Sequence, residues 1–271
     1  MPDTLPPPSE TKAATPVDRV ATGITGLDDM LHGGLLRGSA ALIEGAPGTG
    51  KSTIGMQFIH YGATKADEPG LILTFEMFPR QYYRDAANYG WDFRALEAAN
   101  KLRVVMSSPE VSRADLQRVN GQIEGMMETI GARRILVDSL SHFERMTRDP
   151  VELRLMVYEF INGLKRLGLT VMLTRENAAL LGETADTEED LAFVVDAYIL
   201  LRYVELAGSV RRALLVLKLR GSDHAKDIRQ YEITAHGLEV RAKFEGQQGI
   251  MSGNPISTAA EAFVQAFGRK K

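Results

Sequence analysis

Residues 45–52 read Gly45-Ala46-Pro47-Gly48-Thr49-Gly50-Lys51-Ser52, a complete G-x-x-x-x-G-K-S/T loop. That spacing suits a triphosphate. Glycines free the backbone to curl its N–H groups around phosphate oxygens, the helix that follows presents its positive dipole end, and a lysine reaches the β- and γ-phosphates. Gly45, Pro47, Gly48, Thr49, Gly50, Lys51, Ser52 and Thr53 are therefore the candidate cradle. Lys51 doubles as a catalytic cation, and the Ser52 hydroxyl is placed to hold Mg²⁺.

Three other sites carry residue types suited to the same chemistry. Asp138 ends the apolar run Arg134-Ile135-Leu136-Val137-Asp138, the form of a strand whose terminal carboxylate orients the Mg²⁺ shell. An acid there also suits the cap of a turn. Glu76 follows Leu71–Phe75, expected to be the neighbour of the phosphate-loop strand, so it is the candidate base for the attacking water and a further metal-side carboxylate. As a lone acid after a strand it also suits a surface turn. Lys218 and Arg220 alternate with Ala213, Leu215, Leu217 and Leu219, which puts the apolar groups on one strand face and both cations on the other. Such a pair suits a solvated face, or reaches into a neighbouring subunit's nucleotide.

The elements that must position these groups are legible as alternating patterns. Ala40–Ile43, Leu71–Phe75, Leu102–Met106, Ile135–Val137 and Leu169–Leu173 are short apolar runs separated by segments of helical period. Continuous apolar strands between helices predict an α/β fold with a parallel sheet covered on both faces. Helices are expected at Ser52–Tyr61, Arg80–Tyr89 and Ala114–Ile130, and from Pro150, where Leu153, Met156, Val157, Phe160, Ile161 and Leu164 form one apolar stripe. From Ala197 the pattern changes to Tyr198–Val204, Arg211–Arg220, Arg229–Ile233 and Leu238–Arg241, joined by Ala207-Gly208-Ser209 and His236-Gly237. These predict antiparallel hairpins at the C-terminal side of a mixed sheet.

Bulk composition sets the outer bounds. The 271 residues carry 32 basic and 35 acidic side chains, a net charge of −3 that argues against a dedicated polyanion-binding surface. The absence of cysteine excludes disulfides and thiolate metal sites, and the five histidines are too scattered for a ligand cluster. Residues 1–16 are polar and proline-rich and are expected to be a disordered tail, with the folded domain over 17–244. In 245–271, a Gly/Gln/Ser/Asn-rich stretch precedes a short amphipathic segment, Thr258–Phe267, that suits a helix. No run has the length of a membrane span and the first residues lack the order of a signal peptide, so a cytoplasmic protein is expected.

Taken together, the motifs resemble the KaiC-like branch of the RecA-type ATPases. The resemblance rests on Thr22-Gly23-Ile24-Thr25-Gly26-Leu27-Asp28 with Gly33-Gly34, on Phe75-Glu76, on Asn88-Tyr89-Gly90-Trp91-Asp92-Phe93, on Asp138-Ser139-Leu140-Ser141, and on Lys218-Leu219-Arg220-Gly221-Ser222 with His224. It covers Val17 to Pro255 and one repeat only. It implies a RecA-like phosphate-loop domain that binds ATP and Mg²⁺ and assembles as a ring, commonly a hexamer, with ATP between subunits; the leading expectation is a switch whose nucleotide state sets the conformation shown to a signalling partner. It further implies that Lys218 and Arg220 act in trans at the γ-phosphate. Leu219, Gly221, Ser222 and His224 become nucleotide contacts on the same hairpin, and Arg212 and Tyr89 lie near phosphates or adenine. Two positions depart from the family pattern. Met77 replaces the second of two adjacent glutamates, and Ala192-Phe193 fall where the clock branch carries a Ser-Thr phosphoacceptor pair, which removes autophosphorylation there.

The competing expectation is a RecA-type enzyme acting on nucleic acid, which would pass DNA along the loop Arg175–Leu191. That loop holds Glu176, Glu183, Asp186, Glu188, Glu189 and Asp190 against Arg175 alone, a charge balance that repels phosphates. A scaffold or autokinase with slow turnover is the remaining alternative, favoured by Met77.

Overall fold

The computed structural model describes residues 18–177, 189–206, 208–244, 247–248 and 256–257. Its centre is a nine-stranded mixed sheet. The strands are β3 (Ala40–Gly45), β4 (Gly70–Thr74), β5 (Leu102–Met106), β6 (Arg134–Asp138), β7 (Thr170–Glu176), β8 (Ala197–Leu206), β9 (Ser209–Leu219), β10 (Arg229–Thr234) and β11 (Gly237–Lys243). They lie in the order β11-β10-β9-β8-β3-β7-β6-β4-β5. Every pairing from β8 through β3 to β5 is parallel, and the pairings of β8 to β9, β9 to β10 and β10 to β11 are antiparallel. A short ribbon of β1 (Arg19–Val20) and β2 (Leu35–Leu36), with the helical turn α1 (Leu27–Met30) between them, precedes the sheet. A last pairing joins β12 (Gln247–Gln248) to β13 (Ile256–Ser257).

Unbroken apolar strands follow from burial on both faces. Ala41, Ile43, Ile72, Leu136 and Met172 contribute to one core, shared with Ile54 and Phe58 of α2 (Lys51–Tyr61), Tyr82 of α3 (Pro79–Ala87) and Phe93 of α4 (Phe93–Ala98). Their strand neighbours Ala40, Leu42, Leu71, Leu73, Ile135 and Val137 point the other way. There they meet Ile123, Met127 and Ile130 of α6 (Gln122–Ile130) and the expected stripe of α7 (Pro150–Arg166), whose Met156, Val157, Phe160, Ile161 and Leu164 are buried. α2 approaches β6 closely because residue 55 is glycine: a Cβ there would lie 2.3 Å from Leu136.

Four expectations need correction. β4 is not adjacent to the phosphate-loop strand; β7 and β8 flank β3, and β7 and β6 separate it from β4. The predicted single helix Ala114–Ile130 is two, α5 (Pro109–Leu116) and α6. The buried Asp115 carboxylate accepts from Gln122 N and Ile123 N, both at 2.8 Å, so it caps the second helix and ends the first, with Asn120 at φ 58° in the turn between. In β9 the pairing register shifts at Tyr198/Ile199, so Val216 rather than Leu217 faces the core and Leu217 is exposed. The proposed shared face of Ala213, Leu215, Leu217 and Leu219 therefore does not form. Arg175 is buried in β7 rather than in a loop. The tail 1–16 and the segment Thr258–Phe267 lie outside the described residues, as do 178–188 of the acidic stretch.

Candidate active site

The phosphate loop leaves β3 at Gly45 and enters α2 at Lys51. Gly48 and Gly50 have φ values of 77° and 98°, left-handed geometry that side chains resist, and this turns the chain tightly enough to begin a helix at once. The loop is braced from within and from outside. Thr49 is fully buried and its hydroxyl donates to Ala46 O at 2.7 Å, so its side chain serves the loop's shape. From β8 the Tyr203 hydroxyl donates to Pro47 O at 3.3 Å, and from β10 the Tyr231 hydroxyl donates to Thr49 O at 2.5 Å. Burial and the nearby Tyr203 hold the Tyr231 phenol well above its usual range, against the opposing charge of Arg212, so it remains a donor.

Lys51 Nζ donates to Ala46 O at 3.0 Å. Burial lowers its pKa, opposed by four carboxylates, in order Glu176, Asp138, Glu44 and Glu76. All four belong to strands that end at this edge of the sheet or, for Glu76, to the turn just past one. Asp138, the last residue of β6, is buried, and both its oxygens are held: Oδ2 accepts from the Tyr82 hydroxyl at 2.6 Å and Oδ1 from the Thr174 hydroxyl at 2.5 Å. Burial and the Asp138 charge raise the Tyr82 pKa, which keeps its proton on the phenol. Ser52 opens α2 with its side chain half-buried. Glu76 is largely exposed, and His142 Nε2 lies 3.4 Å from its Oε2. Glu44 is sealed under the loop, paired with Arg175 at 3.1 Å and accepting from Asn177 Nδ2 at 3.0 Å, while Arg175 also binds Glu144 at 2.8 Å.

On the flank of α2, the Tyr89 hydroxyl lies 3.2 Å from Thr53 Oγ1, and its ring packs 4.8 Å from Trp91, which stacks in turn on His60 at 5.2 Å. Arg212 stands opposite Tyr203 in the β8–β9 ladder, its guanidinium 5.6 Å from that ring, at the phosphate-loop end of the sheet. Its Nε is buried without a hydrogen-bond partner among the described residues. The Arg212 guanidinium over Tyr203, with its Nε left unpartnered among the described residues, and Lys51 turned onto a carbonyl of the glycine-rich loop are a donor set that fits a polyphosphate. The Ser52 hydroxyl and the fixed Asp138 carboxylate are hard oxygen groups of the kind Mg²⁺ takes.

The structure does not bring all predicted groups together within one chain. β9 runs antiparallel to β8, so Lys218 pairs with Tyr198 and Leu219 with Ala197, which is level with Ala41 at the start of β3. Leu219 thus lies four residues, about 13 Å, back from Gly45 along the strand direction and about 10 Å across the sheet. Lys218 Nζ donates to Ala192 O and Val195 O, both at 2.8 Å, and burial lowers its pKa. Arg220 pairs with Asp196 at 3.3 Å. Gly221 packs toward Leu36, the Ser222 hydroxyl accepts from Arg19, and His224 Nδ1 is buried with no hydrogen-bond partner among the described residues. These residues occupy the sheet edge opposite their own phosphate loop.

Sequence reasoning missed Tyr82, Thr174, Tyr203 and Tyr231, whose roles depend on long-range pairing. It also placed Glu176 among loop acids although that residue ends an apolar strand just as Asp138 does.

A mostly parallel sheet with this loop on a central strand, and a buried aspartate closing the strand two places away, defines a RecA-like phosphate-loop protein of the nucleotide-binding kind. More narrowly, the chain belongs to the KaiC ATPase family, whose family model, described as "ATPase: KaiC", matches residues 20–245. It is 35% identical over 245 residues to the circadian clock protein KaiC3 of Synechocystis sp., covering 89% of this chain and 47% of that protein. It is 36% identical over 235 residues to the circadian clock oscillator protein KaiC of Prochlorococcus marinus subsp. pastoris, covering 83% and 45%. Against the protein of the same name from Thermosynechococcus vestitus it is 34% identical over 245 residues, covering 90% and 46%. The chain spans about half the length of the curated relatives it matches. No helix among the described residues is long and apolar enough to cross a membrane.

Proposed function

We propose that the chain is a Mg²⁺-dependent ATPase of the KaiC type that assembles head to tail into a ring, hexameric as is common in the family, with each ATP held between two subunits. Bound Mg²⁺ would neutralise charge on the β- and γ-phosphates. Within one chain, the loop amides, Lys51 and Arg212 bind phosphate oxygens, Ser52 and Asp138 face the metal, Thr53 and Tyr89 flank the nucleotide, and Glu76 polarises the water. The adjoining subunit supplies Lys218 and Arg220, with Leu219, Gly221, Ser222 and His224 as their supporting hairpin. The observation that supports this reading is the position of β9: its cations lie at the sheet edge away from their own loop, which leaves them to the nucleotide of another chain. Nucleotide state would then set ring conformation and the surface shown to a cytoplasmic signalling partner.

The test combines loss with rescue. Lys51→Ala should lower ATP affinity by about 100-fold, because it removes charge-assisted hydrogen bonds worth about 3 kcal/mol together. Glu76→Gln and Arg220→Ala should each release little phosphate alone. Mixed, they should recover part of the activity, because some interfaces then pair an intact Glu76 with an intact Arg220. No recovery in proven mixed assemblies rejects action in trans.

A further inference from the structure

The strand between the phosphate-loop strand and the strand of Asp138 ends in an acid that the reading above does not use. Glu176 is the last residue of β7 and is directly level with Gly45, the first residue of the loop. The next residue locks that register: Asn177 N donates to Gly45 O at 3.0 Å and Asn177 Nδ2 to the buried Glu44. On the other side Glu176 N donates to Ser141 Oγ at 2.8 Å, in the 3₁₀ turn that follows Asp138. The backbone of Glu176 is thus pinned on both flanks at the centre of the site while its side chain stays exposed. Glu76 leaves a strand three places from β3, about 14 Å across the sheet, whereas β7 is adjacent at about 5 Å. Of the charges acting on the Lys51 ammonium, Glu176 exerts the largest influence and Glu76 the smallest of the four.

We propose that Glu176 is a second hydrolytic carboxylate, accepting a hydrogen bond from the water that attacks the γ-phosphorus. This rests on the ATPase reading above. In the step, the water oxygen bonds to the γ-phosphorus, and the bond to the β–γ bridging oxygen breaks with its electron pair remaining on ADP. The water proton passes to the carboxylate, which returns it to solvent when phosphate leaves. A carboxylate is tolerated beside a triphosphate here because Lys51 lies within its field and offsets the repulsion. The arrangement also explains why the end of β7 is fastened by Asn177 and Ser141: a general base must hold its distance to the proton it takes.

The test compares Glu176→Gln, Glu176→Asp, Glu76→Gln and the double Glu76→Gln/Glu176→Gln in the full chain with Mg-ATP. ATP affinity is read from Trp91 fluorescence and turnover from phosphate release. Glu176→Gln should bind ATP within about threefold of the parent, melt at the same temperature, and release phosphate about 10- to 100-fold more slowly, with Glu176→Asp intermediate. The double variant should be slower than either single one. Turnover by Glu176→Gln within about twofold of the parent overturns the proposal. So does a loss of ATP affinity that parallels the loss of turnover, since the carboxylate would then merely support Lys51. Failure of the underlying reading looks different: the parent chain itself would not bind ATP, or Lys51→Ala would bind it normally.

Discussion

At the residue scale, Asp138 shows how a metal-side carboxylate is kept in one orientation. Tyr82 from α3 and Thr174 from β7 each take one of its oxygens, so rotation of the carboxylate would break two hydrogen bonds in a buried setting. Tyr82→Phe should lower folding stability by about 1.5–3 kcal/mol, the value of a bond to a charged group, as read from urea denaturation. Phosphate release should fall as well, about tenfold, with ATP affinity changed less, because the residue acts through Asp138. His60, stacked on Trp91, gives a pH signature: burial, aided by Lys65, lowers its pKa below 6.5. The unfolded chain therefore takes up a proton at pH 6.5 that the folded chain refuses, so the contribution to stability is complete above 6.5 and is lost as pH falls below it. Melting temperatures at pH 7.5 and 5.5 should converge more closely in His60→Phe than in the parent. The loop and Asp138 are legible in sequence because their signals are local. The braces are not: Tyr82 and Asp138 are 56 positions apart, Tyr203 and Pro47 156, and Tyr231 and Thr49 182. A tyrosine in an apolar run reads as core until the fold shows what its hydroxyl meets.

At the scale of elements, periodicity located all nine strands of the main sheet and the helices α2, α3 and α7, and the departures have identifiable causes. Apolar spacing continued through Ala114–Ile130, but a capping carboxylate at Asp115 overrode it and turned the chain. Asp115→Ala should cost about 2–4 kcal/mol, because two amides of α6 lose a charged acceptor together, and a chemical denaturation curve would show this with an unchanged slope. Alternation in β9 was read as one face, but a single extra residue at the register shift reverses the facing of everything beyond it. Strand order was the least legible feature. Nothing in Leu71–Phe75 distinguishes a strand next to β3 from one three places away, since both are buried and apolar. That is why Glu76 was expected close to the loop while Glu176 was assigned to an acidic loop.

At the scale of the molecule, charge and direction matter more than any single contact. The cation that seemed to temper the acidic stretch, Arg175, is neutralised inside the sheet by Glu44 and Glu144. From Asn177 to Leu191 the sequence then offers acids and no base. A labelled single-stranded oligonucleotide should accordingly show no salt-sensitive change in anisotropy with this protein near 0.1 M salt, whether or not ATP is present. The antiparallel course of β9 has a consequence for mixed populations. Under the proposed head-to-tail arrangement every chain donates to one neighbour's pocket and receives from the other. A chain defective at both Lys51 and Arg220 therefore silences its own pocket and the one it should complete. Blended at random with sound chains, such a poison subunit would leave working pockets in proportion to the square of the sound fraction, about a quarter at equal parts.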